Sequence, residues 1–107
     1  MKTEMKKLLV VEDEPMMRRL LLHIFGDKYE VVLKENGKEA LGWLKDGNIP
    51  NVIIADLHMP EVDGYEFIKA VRSFDFYDSV PLLVLSGEQG SEDRIRCLKA
   101  GADDFLT

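Results

Sequence analysis

Two short stretches decide how this chain reads: Lys7-Leu8-Leu9-Val10-Val11 running into Glu12-Asp13, and Val52-Ile53-Ile54-Ala55 running into Asp56. Leu8 to Val11 and Val52 to Ala55 are unbroken apolar runs, the pattern of parallel strands covered on two faces. Each ends on acid. If the two strands lie parallel and adjacent in one sheet, Glu12, Asp13 and Asp56 meet at one edge of it. Three crowded carboxylates repel, and uncompensated burial raises their pKa values. A divalent cation is the natural compensator, and hard oxygen ligands suit Mg²⁺. The pattern therefore points to an acidic metal pocket with a carboxylate available for phosphate chemistry.

Outward from these runs, strand-like and helix-like segments alternate, which argues for an α/β domain with a parallel sheet. After the first strand, a helix is expected from about Glu14, with Pro15 in its first turn, where a missing N–H costs nothing. Met17, Leu20, Leu21, Ile24 and Phe25 recur at helical spacing, and Gly26 suits the C-terminal cap. Tyr29 to Leu33 reads as the second strand. Asn36-Gly37 opens a second helix with Ala40, Leu41 and Leu44 inward, ended by Gly47. Val52 to Ala55 is the third strand. Pro60 and Asp63-Gly64 mark a turn into a third helix that carries Tyr65, Ile68 and Val71 inward. Leu82 to Leu85, Ser91 to Ala100 and Asp103 to Leu106 read as strand, helix and strand. In that last helix Ile95, Leu98 and Cys97 are the inward candidates, Gly101 is its cap, and Asp103-Asp104 is a solvated turn.

Right-handed crossovers and strand order 2-1-3-4-5 put helix one on one face of the sheet and helices two to four on the other. A doubly wound sheet normally has a fifth helix beside helix one. Its absence here leaves part of one sheet face bare, and the expectation is marginal stability or self-association through that uncovered face.

The 107 residues fit one domain, 1–107, and 46% hydrophobic content is enough for a core. A net charge of −6 argues against binding nucleic acid through phosphate contacts. The single cysteine, Cys97, excludes an internal disulfide framework and fits a reducing compartment, with a structural role in its helix. Neither a signal peptide nor a membrane-length apolar stretch is legible, so a cytoplasmic location away from membranes is expected.

Glu12-Asp13, the run Asp56-Leu57-His58-Met59-Pro60-Glu61-Val62-Asp63-Gly64, the strand end Leu83-Val84-Leu85-Ser86-Gly87 and the stretch Lys99-Ala100-Gly101-Ala102-Asp103-Asp104-Phe105-Leu106-Thr107 occur in that order. Together they closely resemble the receiver domain of bacterial two-component response regulators, of the chemotaxis-receiver kind, over essentially the whole chain. The resemblance implies a flavodoxin-like fold. It implies a signalling domain that catalyses its own phosphorylation and dephosphorylation, rather than an enzyme with a separate substrate. A histidine kinase or a phosphotransfer protein would donate a phosphoryl group to Asp56. Asp13 and Asp56 would ligate Mg²⁺ directly, Glu12 would do so through water, and the backbone carbonyl of His58 would complete the protein ligands. Ser86 matches the hydroxyl that bonds the phosphoryl group, and Phe105 matches the aromatic switch. His58 and Glu88 match positions that tune dephosphorylation.

One departure bears on the chemistry. The family pattern places a lysine directly after a segment like Phe105-Leu106-Thr107, and this sequence ends there. Lys99 and Lys69 lie on predicted helices and do not replace it. The reading is a fragment of a longer regulator, or a short variant with weakened chemistry. The alternative function is thus a pseudo-receiver interaction module with impaired phosphotransfer. A haloacid-dehalogenase-like phosphatase wants a second aspartate two residues after the nucleophile, where His58 stands. Glu12-Asp13-Glu14-Pro15 after strand one would repel a dinucleotide pyrophosphate. Neither a P-loop nor a helix-turn-helix is visible. Among blander readings, Glu14 serves the N-terminus of helix one, the His58 ring faces solvent, and Trp43 is a half-buried helix residue without a site role.

Overall fold

The structure, a computed structural model, describes residues 5–57, 59, 62–86 and 91–106. Its elements are β1 (Lys6–Val11), α1 (Pro15–Phe25), β2 (Tyr29–Lys34), α2 (Gly37–Lys45), β3 (Val52–Asp56), α3 (Gly64–Ser73), a 3₁₀ turn at Asp75–Tyr77, β4 (Leu82–Leu85), α4 (Ser91–Ala100) and β5 (Asp104–Leu106). The five strands form one parallel sheet in the order β2-β1-β3-β4-β5, as the sequence reading required.

Strand alternation divides the core in two. Leu9, Val11, Ile53, Ala55, Leu82, Val84 and Phe105 point to the larger cluster, with Ala40, Leu44, Phe67, Ile68, Val71 and Cys97 of α2, α3 and α4. Leu8, Val10 and Ile54 point to the other side, where Leu21 of α1 completes a much smaller cluster. Met17, Leu20 and Ile24 of α1, and Leu106 of β5, remain exposed. Helix one thus covers its face only in part.

Helices α1, α2 and α3 start where side-chain oxygens can take the first unsatisfied N–H groups. Glu14 accepts from Met16 N at 3.0 Å, Asn36 from Glu39 N at 2.8 Å and Asp63 from Glu66 N at 2.9 Å. Gly47 and Gly101, at φ 97° and 123°, end α2 and α4 in the left-handed region that glycine enters without a Cβ penalty. Gly26 caps α1 by a different route, in right-handed conformation with its N–H on Leu22 O.

In α4 the inward face differs from expectation. Cys97 is fully buried, whereas Ile95 and Leu98 are exposed. Asp93, Cys97 and Ala100, at spacings of four and three, form the stripe that faces α3 and the sheet, and this puts Ile95 and Leu98 on its flanks. Asp103 is also more than a solvated turn residue. Its carboxylate accepts from Leu82 N at 2.8 Å and from the Arg72 guanidinium at 3.0 Å, which fixes where β4 and β5 begin. The 3₁₀ turn, which sequence reasoning missed, buries Tyr77 and brings its hydroxyl to the carbonyls of Leu44 and Asn48 at 2.7 and 2.8 Å. Burial raises the pKa of that phenol.

Candidate functional site

The parallel pairing of β1 with β3 sets Val11 beside Ala55, so the acids that follow each strand emerge together. One carboxylate oxygen from each of Glu12, Asp13 and Asp56 falls within 4.8 Å of the others. Glu12 is buried, Asp56 half-buried and Asp13 exposed. The cluster therefore grades from protein interior to solvent, as an ion site with an open side requires. A cavity of about 320 Å³ opens over it, with Glu12, Asp56 and Ser86 in its lining and Met17, Leu85 and Leu106 as an apolar wall.

Backbone contacts set the geometry. Glu12 N–H donates to Lys34 O at 3.0 Å, which carries the edge of the sheet one residue past β1. Leu57 N–H donates to Asp56 Oδ1 at 2.9 Å and orients that carboxylate. Gly64 N–H donates to Leu57 O at 2.8 Å, and a Cβ on Gly64 would lie 2.7 Å from Leu57 Cα and 2.8 Å from Asp56 O. Only glycine lets α3 start so close behind the carboxyl end of β3. The turn at Asp63-Gly64 is legible in the sequence, whereas the packing of Gly64 against Asp56 is not.

Arg18 was missed altogether. From the first turns of α1 it reaches back to donate to the carbonyls of Glu12 and Asp13 at 2.9 and 3.0 Å, and it stands 3.8 Å from Glu35. It thereby clamps the loop that carries two of the three acids. The signal in the sequence was faint, a cation one turn after an acidic loop.

Glu12 carries a clear electrostatic effect, and burial is its main cause. Burial, with smaller contributions from the charges of Asp56 and Asp13, pushes Glu12 up to about 7 from its usual 4.5, although an N–H bond from Glu14 pulls the other way. A carboxylate so placed binds a proton or a cation readily. The donor set is all oxygen, half-open and acidic, and it fits Mg²⁺ chemistry.

Ser86 is buried at the end of β4, with its N–H on Leu106 O at 2.9 Å. Phe105, paired in register with Val84, is buried in the larger core cluster. Ser86 shares the cavity lining with Glu12 and Asp56, whereas Phe105 lies one strand further out, in the core beneath β4 and β5. The His58 carbonyl, Gly87 and Glu88 lie outside the described residues, as does Thr107.

A family model for the response regulator receiver domain matches residues 8–107. The chain belongs to the receiver-domain family of two-component response regulators. Among curated relatives it is 36% identical over 104 residues to the virulence transcriptional regulatory protein PhoP of Salmonella choleraesuis, covering 96% of this chain and 45% of that protein. This receiver sequence thus spans just under half of PhoP's length. Among solved structures it superposes with a TM-score of 0.89 on the Vibrio cholerae chemotaxis protein CheY4, at 34% identity, covering 97% of this chain and 86% of that one. It also matches the receiver domain of the sensor histidine kinase PA1611 from Pseudomonas aeruginosa PAO1, whose structure holds a magnesium ion in the active site cleft. There the TM-score is 0.88 at 27% identity, covering 97% of this chain and 85% of that one. Among the described residues no helix is long and apolar enough to cross a membrane.

Proposed function

We propose that this receiver domain, residues 1–107, accepts a phosphoryl group on Asp56 from the phosphohistidine of a histidine kinase or a phosphotransfer protein, with Mg²⁺ as cofactor. The observation that carries the reading is the meeting of Glu12, Asp13 and Asp56 within 4.8 Å beside a buried Ser86 at the carboxyl ends of the central strands. The magnesium ion in the related PA1611 receiver supports the metal assignment.

Asp13 and Asp56 would hold the metal directly and Glu12 through water, with the His58 carbonyl as the remaining protein ligand. When bound, Mg²⁺ supplies charge neutralisation to the carboxylates and to the transferring phosphoryl oxygens. Asp56 attacks as a carboxylate: an O–P bond forms, the donor's N–P bond breaks, and the imidazole leaves with the electron pair. Leu57 N–H keeps the nucleophile oriented. Ser86 bonds a phosphoryl oxygen, and the adjacent Phe105 reports that bond to the surface of β5 as the switch. His58 and Glu88 tune hydrolysis of the acyl phosphate. Function in the cytoplasm is consistent with this chemistry, and the net charge of −6 disfavours nucleic acid as a partner of this domain.

Incubation with acetyl phosphate and Mg²⁺ should give one phosphate adduct by intact mass. The adduct should disappear with chelator and in Asp56→Asn. A folded wild-type chain that takes up no phosphate would leave a pseudo-receiver interaction module as the better reading.

The half-covered α1 face, with Met17, Leu20, Ile24 and Leu106 exposed, supports weak self-association of this 107-residue chain. Sedimentation velocity should show a concentration-dependent shift. A strict monomer across the range, with a sharp high-temperature melt, would count against it.

A further inference from the structure

On the opposite side of the sheet from α1, a groove of about 430 Å³ runs between α3 and α4. Tyr65 and Lys69, four residues apart, line it from α3; Ile95, Arg96 and Lys99 line it from α4. It takes no part in the acidic site. Its floor is apolar, with Ile95 half-exposed at 52% and Ala100 beside it. Lys69, Arg96 and Lys99, all exposed, stand around that floor, against Glu92 among the described lining residues and Asp93, which is tied to Tyr65. Glu92 lies one turn nearer the N-terminus of α4 than Arg96, and Lys99 lies toward the C-terminus. The groove therefore has an acidic end and a cationic end, on a chain whose net charge is −6.

Its walls are held together. The Tyr65 hydroxyl donates to Asp93 at 2.7 Å across the gap, and the Arg96 guanidinium stacks over the same ring at 3.7 Å from its centroid. Tyr65 itself is buried. A groove fixed in this way needs little ordering when it is filled, and a stacked Arg96 is held in place as a carboxylate-binding fork.

We infer that the α3–α4 groove docks an acidic peptide segment of a partner protein, with one apolar side chain over Ile95 and Ala100 and carboxylates against Lys69, Arg96 and Lys99. Charge complementarity selects this occupant. A nucleic acid or an anionic membrane would need a wider basic surface, and the rest of the chain is net acidic.

The test titrates the full chain with the capped peptide Glu-Glu-Leu-Glu-Glu and follows backbone amide signals by two-dimensional NMR. Saturable shifts are expected at Lys69, Ile95, Arg96, Lys99 and Ala100. Serine in place of the peptide's leucine should weaken binding. Because rim charges contribute modestly one by one, the Lys69→Glu/Lys99→Glu double variant should weaken it by roughly tenfold. Both substitutions are exposed and leave the walls intact, so an unchanged amide spectrum elsewhere confirms folding. The proposal is overturned by shifts confined to other surfaces, or by equal binding of a peptide with lysine at the glutamate positions. It is equally overturned if anionic vesicles or single-stranded RNA bind these residues and the acidic peptide does not.

Discussion

Replacing Arg72 by alanine is expected to destabilise the domain by about 3 kcal/mol, a large share of the roughly 5–15 kcal/mol that holds a domain folded. Arg72 sits at the end of α3 with its side chain only 14% exposed. Its Nε donates to Gly101 O at 2.8 Å, one terminal nitrogen to Tyr77 O and Val80 O at 2.7 and 2.8 Å, and the other to Asp103 at 3.0 Å. Three separate chain segments converge on one guanidinium: the 3₁₀ turn, the approach to β4 and the turn from α4 into β5. Alanine would leave their carbonyls without this donor and would open the space where the arginine stem packs against Gly101. Asp103 would lose its cation while still holding Leu82 N. Lysine, a single-point donor, should restore less than half of the loss. Urea unfolding reads both values as a shift in midpoint at constant slope. A loss below about 1 kcal/mol for Arg72→Ala would mean that solvent replaces these bonds easily, and the clamp would then be incidental.

Glu12→Gln should stabilise the metal-free protein at pH 8, by about 1–3 kcal/mol. Folding raises the Glu12 pKa from 4.5 to about 7. Between those two values the folded state keeps a proton that the unfolded state has released. Stability therefore falls as pH rises through this window, and the full penalty stands above pH 7. Glutamine keeps the oxygen that accepts from Glu14 N and removes the charge. The gain from the substitution should vanish below about pH 4.5, the ordinary carboxylate value. Millimolar Mg²⁺ should raise the wild-type melting temperature and raise that of Glu12→Gln less, because the variant lacks one of the charges the cation would offset. Thermal melts at pH 5 and 8, with and without Mg²⁺, give all the comparisons. Destabilisation of the metal-free variant at pH 8 would show that Glu12 is held by favourable contacts rather than strained by burial and repulsion.

The strands and the acids were legible because their signals are local. An apolar run that stops on Glu12 or Asp56 announces both a buried strand and the chemistry at its end. The caps at Asn36 and Asp63 also follow from short-range residue types. Arg72, Asp103 and Tyr77 were not legible, since each bonds a backbone group far along the chain, Gly101 O, Leu82 N and Leu44 O respectively, that any sequence would offer. The face of α4 was misread for a related reason. Its apolar residues are few, and the stripe that faces inward combines the small side chains of buried Cys97 and half-buried Ala100 with Asp93, which Tyr65 of α3 holds by a hydrogen bond. Arg18 escaped notice because its role is to hold the main chain of the acidic loop, not to touch a ligand.

On the proposed function, Asp56, and no neighbouring oxygen, takes the phosphoryl group. Borohydride reduces an aspartyl phosphate to homoserine, which peptide mass spectrometry places at a single residue. After treatment with acetyl phosphate and Mg²⁺, homoserine is expected at position 56 alone, and none when Mg²⁺ is chelated. Conversion at Asp13, a stable phosphate ester on Ser86, or no modification of a folded chain would contradict it.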